Sequence, residues 1–153
     1  MIIKENVFLE EIEKIFDENN KGYVADKTCI YKDEFLKLVA IENDTVLGYV
    51  ALRFGKSFVK EEGIPLNLEL PDNCIYVWSC ITKKGYENKG IMSYLFDYFI
   101  NKYSNNDFYS IININNISSI KLHQKFNFEL IEQFTMMHNN KYRQFHLAKR
   151  KAK

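Results

Sequence analysis

The chain has 153 residues, of which 46% are hydrophobic and 15% aromatic; a chain of that length and make-up can bury about two thirds of its surface in a core, which excludes a disordered polypeptide and any need for disulfide staples. Its 21 Lys and Arg against 20 Asp and Glu leave a net charge of +1, without the clustered basic face of a nucleic-acid binder. No apolar run approaches the roughly 20 residues that cross a bilayer, so neither nucleic acid nor a membrane is expected as a partner.

Three cysteines, Cys29, Cys74 and Cys80, form no Cys-x-x-Cys and no Cys/His set with zinc spacing. They point to a reducing cytoplasm and to no structural metal. The first residues lack the layout of a signal peptide. Lysine outnumbers arginine, and Asn and Ile are abundant, the usage of an AT-rich bacterial genome.

In chain order, residues 6–18 place Phe8, Ile12, Ile15 and Phe16 on one face of an amphipathic helix, with Gly22 a suitable stop. Residues 26–34 hold at most a short second helix. Residues 35–42 and 45–54 are apolar runs around Asn43-Asp44 and predict a β-hairpin. Residues 55–73 contain both prolines and read as a long loop with a helical turn near residues 58–62, a loop of functional length. Residues 74–82 read as a strand, 90–103 as a helix, 108–114 as a buried strand, and 116–126 as a helix capped by Asn116. Two more strands, 127–137 and 141–148, flank His138-Asn139-Asn140, and residues 149–153 form a basic, solvated tail. Strand–helix–strand in the middle implies a parallel pair; the hairpins on either side imply a mixed sheet. The whole chain reads as one domain.

The stretch Thr82-Lys83-Lys84-Gly85-Tyr86-Glu87-Asn88-Lys89-Gly90-Ile91-Met92-Ser93 ends a strand, turns, and opens a helix at a glycine. Free N–H groups and the dipole at a helix start attract anions. Gly90 allows close approach, Asn88 tolerates positive φ, and Lys83, Lys84 and Lys89 add charge. Neither a P-loop nor the dinucleotide fingerprint is present. After the second strand of the pair comes Asn116-Ile117-Ser118-Ser119-Ile120-Lys121-Leu122-His123-Gln124-Lys125-Phe126-Asn127-Phe128-Glu129.

The two stretches together resemble the GNAT superfamily of acyl-CoA-dependent N-acetyltransferases. Glu87-Asn88-Lys89-Gly90-Ile91-Met92 stands where that family has Gln/Arg-x-x-Gly-x-Gly/Ala, and Asn116, Ser119, Leu122, His123, Lys125, Asn127, Phe128 and Glu129 occupy the positions of its later motif. Glu87 and Met92 depart from the usual residues, but backbone amides can still carry CoA. Leu122-His123 is similar to the phosphinothricin-type branch, whose acidic residue on the strand before the turn has no counterpart in residues 75–81.

The resemblance implies an α/β fold with a central mixed, largely antiparallel sheet, a splayed parallel strand pair and flanking helices. It implies acetyl-CoA as co-substrate, held by the amides of Cys80, Ile81 and Thr82, by the turn from Glu87 through Asn88, Lys89, Gly90, Ile91 and Met92 to Ser93, and by Asn113, Asn116 and Ser119. His123 becomes the candidate acid for the leaving thiolate. The expected activity is acetylation of the primary amine of a small molecule by direct attack. The alternatives are an acyl-CoA-binding sensor or a protein N-acetyltransferase. A homodimer through the last hairpin fits the same resemblance. The base stays open between Glu69, Asp72, Glu34 and a water. Cys80, Trp78, Tyr76 and Tyr49 read better as core than as nucleophile or pocket wall, and His138 and His146 as turn and surface residues.

Overall fold

The computed structural model describes residues 1–19, 27–138 and 140–153. Gly22, the expected helix stop, and Asn139 of the last turn lie outside the described residues. The elements in chain order are β1 (Ile2–Glu5), α1 (Leu9–Glu18), a 3-10 helix (Lys27–Tyr31), β2 (Phe35–Glu42), β3 (Thr45–Phe54), α2 (Ser57–Glu61), β4 (Ile75–Thr82), α3 (Ile91–Lys102), β5 (Phe108–Asn113), α4 (Ile117–Lys125), β6 (Glu129–His138) and β7 (Lys141–Arg150). The seven strands hydrogen-bond in the order β1-β2-β3-β4-β5-β7-β6. One pair, β4 with β5, is parallel, which gives the mixed sheet with helices that the sequence predicts.

The chain divides into two compact units, Met1–Arg53 with Trp78–Lys102, and Phe54–Val77 with Tyr103–Lys153. In the first, Asn43 (φ 50°) and Asp44 (φ 60°) make the tight turn between β2 and β3, the left-handed pair that matches strand twist. Ile12, Ile15 and Phe16 of α1 are buried with Ile30, Val39, Tyr49 and Ile81, and Trp78 packs against that cluster. Phe8 is a correction. It stands at the N-cap with φ 56° and is 37% exposed, because the chain must turn from β1 into α1 at Asn6–Phe8, where Asn6 is also left-handed (φ 55°). Strand β1 itself has no sequence signature. Its four residues are held by pairing with Leu38–Ile41 of β2.

Gly48 of β3 sits against the start of α3. A Cβ built there would stand 3.1 Å from the Ile81 carbonyl oxygen and 3.1 Å from Ile91 Cγ2. Gly48→Val adds two more carbons to a space without room for one. It should cost about 1–3 kcal/mol, the usual penalty of overpacking, read as a lowered denaturant midpoint at unchanged m-value.

In the second unit, the parallel ladder runs Ile75↔Phe108, Tyr76↔Tyr109 and Val77↔Ser110, and β7 lies antiparallel between β5 and β6. Phe58 of α2 stacks on Tyr76 with ring centroids 3.9 Å apart. The expected basic tail begins later than the sequence suggests. Lys149 and Arg150 end β7; Arg150 is buried and donates Nε–H to the Phe126 carbonyl at 3.0 Å, and Lys149 lies over the Tyr109 ring. Aromatic and carbonyl partners draw the two cations out of solvent.

Candidate active site

In the first unit, β4 delivers the turn. Lys83 donates its N–H to the Leu47 carbonyl (2.7 Å), Tyr86 N–H closes onto the Lys83 carbonyl (3.0 Å), and Asn19 Nδ2 donates to the Thr82 carbonyl (3.2 Å). Residues 84, 85 and 87–90 are exposed. Gly85 (φ 92°), Asn88 (φ 62°) and Gly90 (φ 77°) are all left-handed, so the asparagine and the glycine of the motif hold the conformations that their residue types favour. An added Cβ at Gly85 or Gly90 would meet nothing within 4 Å. The space a phosphate would need is open there.

Helix α3 begins at Ile91, and the N–H groups of its first turn have no intrahelical carbonyl to bond. Glu87 is the residue whose charge opposes an anion. Its Oε2 accepts the Gly85 N–H at 2.8 Å, so the carboxylate is folded back into the turn. Lys89 Nζ lies 5.6 Å from the Tyr86 ring centroid. Met92 is half-buried, and the backbone around it has no use for a small side chain that the structure reveals. The turn is a donor set with open room and three lysines beside it, which fits a pyrophosphate. Cys80 belongs to β4, and burial pushes its thiol up to about 12. At neutral pH it is no thiolate, consistent with a packing cysteine.

In the second unit, Asn113 is buried; its Oδ1 accepts the Asn115 N–H (2.9 Å) and its carbonyl accepts the Asn116 N–H (2.9 Å). Asn116 caps α4 by accepting the Ser119 N–H at 3.3 Å, and Ser118 Oγ–H donates to the same oxygen at 3.2 Å. Both asparagines shape the β5–α4 turn.

His123 is 1% exposed. Its Nδ1 lies 2.7 Å from the Ser119 carbonyl oxygen, which can only accept, so Nδ1 carries the hydrogen. The ring meets Phe128 edge to face at 4.9 Å. Burial drives its pKa down to about 4, against a small upward pull from the Ser119 carbonyl. Burial therefore disfavours the charged imidazolium at neutral pH.

The candidate bases form exposed ion pairs with lysine and arginine. Glu69 and Asp72 pair with Lys56 at 2.6 and 3.2 Å, and Glu34 with Arg53 at 3.5 Å. Tyr49 is fully buried, its hydroxyl 2.8 Å from Ser79 Oγ, and Trp78 lies against Phe35 at 5.2 Å; both are core. His138 is half-buried against Phe145 at 6.0 Å, more enclosed than a turn residue. His146 pairs with Ile112 and Gln133 in the sheet. Among the described residues no group of three or more His, Cys, Asp or Glu side chains could hold a metal.

A family model for the acetyltransferase (GNAT) family matches residues 6–128. The chain belongs to the GNAT acetyltransferase family. No curated protein sequence matches this GNAT chain. Solved structures share its fold at low identity. An N-acetyltransferase from Staphylococcus aureus Mu50 is 19% identical with a TM-score of 0.72, over 100% of both chains. A ribosomal-protein-alanine N-acetyltransferase from Brucella melitensis is 18% identical with a TM-score of 0.73, over 98% of this chain and 99% of that one. Arabidopsis thaliana NAA60 in complex with acetyl-CoA is 12% identical with a TM-score of 0.73, over 97% of this chain and 99% of that one. Identities this low report the fold of a GNAT protein and leave the acceptor to be read from the chain's own residues.

Proposed function

We propose that the protein is an acetyl-CoA-dependent N-acetyltransferase acting on the primary amine of a small molecule. The observation that carries the reading is the turn at 83–90, where left-handed Asn88 and Gly90 open onto the start of α3 with room for a phosphate. The match of residues 6–128, which runs through both units, supports reading the chain as one enzyme.

Bound acetyl-CoA supplies the thioester: the amine forms the new C–N bond, the C–S bond breaks, and CoA leaves as the thiol. The backbone amides at the start of α3, with Lys83, Lys84 and Lys89, hold the phosphates. The amides of Cys80, Ile81 and Thr82, with Asn113, Asn116 and Ser119, are assigned the pantetheine arm and the thioester oxygen. His123 handles the proton. A neutral ring with hydrogen on Nδ1 accepts at Nε2 the proton that the attacking amine nitrogen sheds as the C–N bond forms, and then gives it to the departing thiolate. Leu122-His123 and the buried Phe134 favour a small acceptor of the phosphinothricin-type branch. No helix among the described residues is long and apolar enough to cross a membrane. Leu130, Ile131, Met137 and Tyr142 expose apolar surface on the last hairpin, where a second copy would pack.

The test is release of CoA thiol from acetyl-CoA across a panel of amino acids, diamines, aminoglycosides and peptides with free N-termini. Turnover with a small amine above all peptides is the expected result. Turnover with peptides alone would move the chain to the protein-directed class, and acetyl-CoA binding without turnover on any acceptor would make it a sensor.

A further inference from the structure

Strand β6 carries a carboxylate that nothing above uses. A register shift falls between Leu130 and Glu132, so Ile131 is an extra residue in the strand and Glu132 stands opposite Leu147 of β7. Leu147 is fully buried, and Phe134 and Phe145, the next inward pair, are 8% and 5% exposed with their rings stacked at 5.9 Å. Bulges of this kind re-aim a side chain and gather beside active sites. Glu132 Oε1 accepts the Asn67 N–H at 3.2 Å from the long loop after α2. Its Oε2 is buried and has no hydrogen-bond partner among the described residues. Nor does a Lys or Arg among them form an ion pair with it.

A carboxylate oxygen removed from water without a donor is costly, and sites that keep one have a use for it. Glu132 stands two positions along β6 from the stacked Phe134–Phe145 pair, and no described Lys or Arg pairs with it. We propose that Glu132 is the acceptor-recognition residue, and that the acceptor carries a second ammonium group besides the amine that is acetylated. The ligand class is a small diamine or a basic amino compound. This rests on the acetyltransferase reading for the word acceptor, but not for the binding itself.

The reason for a second ammonium is chemical. A carboxylate paired with an ammonium favours its charged form. At the reacting nitrogen that would hold back the proton whose loss makes the nucleophile. At a non-reacting nitrogen it serves only to anchor. The loop segment bonded through Asn67 engages the other carboxylate oxygen, Oε1. His138, whose Nδ1 is also buried without a partner among the described residues, faces the same way six residues further along. At about 3.4 Å per residue it is roughly 20 Å distant, too far to share one small ligand.

Calorimetric titration of the full chain with 1,4-diaminobutane and with butylamine tests the proposal. The wild type should bind the diamine about tenfold or more tightly than the monoamine. Glu132→Gln keeps a carbonyl for the Asn67 N–H and removes the charge, so it should fold with an unchanged melting temperature and lose the preference. Equal binding of the two amines by the wild type overturns the proposal even if the variant does not fold. A preference that survives Glu132→Gln overturns it as well. Stabilisation by acetyl-CoA, measured separately, reports on the acetyltransferase reading alone, so failure of one is distinguishable from failure of the other.

Discussion

Acetyl-CoA at about a hundred times its Kd should stabilise the folded chain by about 2.7 kcal/mol, which for a chain of this size raises the melting temperature by about 5–11 °C. Gly90→Asp should abolish that shift. Gly90 has φ 77°, with nothing within 4 Å of an added Cβ, so the variant has room for its side chain and incurs only the cost of a left-handed residue, about 1–2 kcal/mol. The new carboxylate then occupies the phosphate's place at the helix start. Two like charges about 4 Å apart near a protein surface repel by about 4 kcal/mol, so affinity should fall by about two to three orders of magnitude. Gly90→Ala separates the causes: it shares the backbone strain without the charge and should keep a reduced shift. A full shift in Gly90→Asp would move the phosphates away from the start of α3.

That turn was legible because it is local. Asn88, Gly90 and the apolar spacing of Ile91, Leu95 and Phe99 state their conformations in their own residue types, and the structure finds φ 62° at Asn88, φ 77° at Gly90 and all three apolar residues buried. The Asn43-Asp44 hairpin and the Asn116 cap were legible for the same reason. What the sequence conceals depends on distant partners. Strand β1 exists because Leu38–Ile41 offer it an edge. Arg150 is buried because the Phe126 carbonyl, 24 residues earlier, accepts from it. Glu132 had a weak signal, being two residues before the inward Phe134 in an alternating strand, but the bulge that sets it opposite Leu147 has no residue code. That no described cation pairs with it depends on residues distant in the chain, which the sequence does not place.

His123→Phe should have two effects that separate its roles. Folding holds the imidazole neutral, with a pKa lowered to about 4 from about 6.5 in the unfolded chain. Between those values the unfolded state binds more protons than the folded one, so stability rises with pH across that window. Above about pH 6.5 burial of the neutral ring carries no protonation cost. As pH falls toward about 4 the folded state loses up to about 3 kcal/mol. Phenylalanine cannot be protonated, so the variant should unfold less readily than wild type at pH 4.5 relative to pH 7.5, in urea titrations at both values. Turnover tests the other role. If Nε2 relays the proton from amine to thiolate, losing it should lower kcat by about 10²-fold or more while acetyl-CoA still raises the melting temperature as in wild type. A variant with the gain in acid stability and an unchanged kcat would make His123 a packing residue: it is 1% exposed and lies edge to face against Phe128, and the acid-stability gain follows from burial alone, whatever the ring does in catalysis.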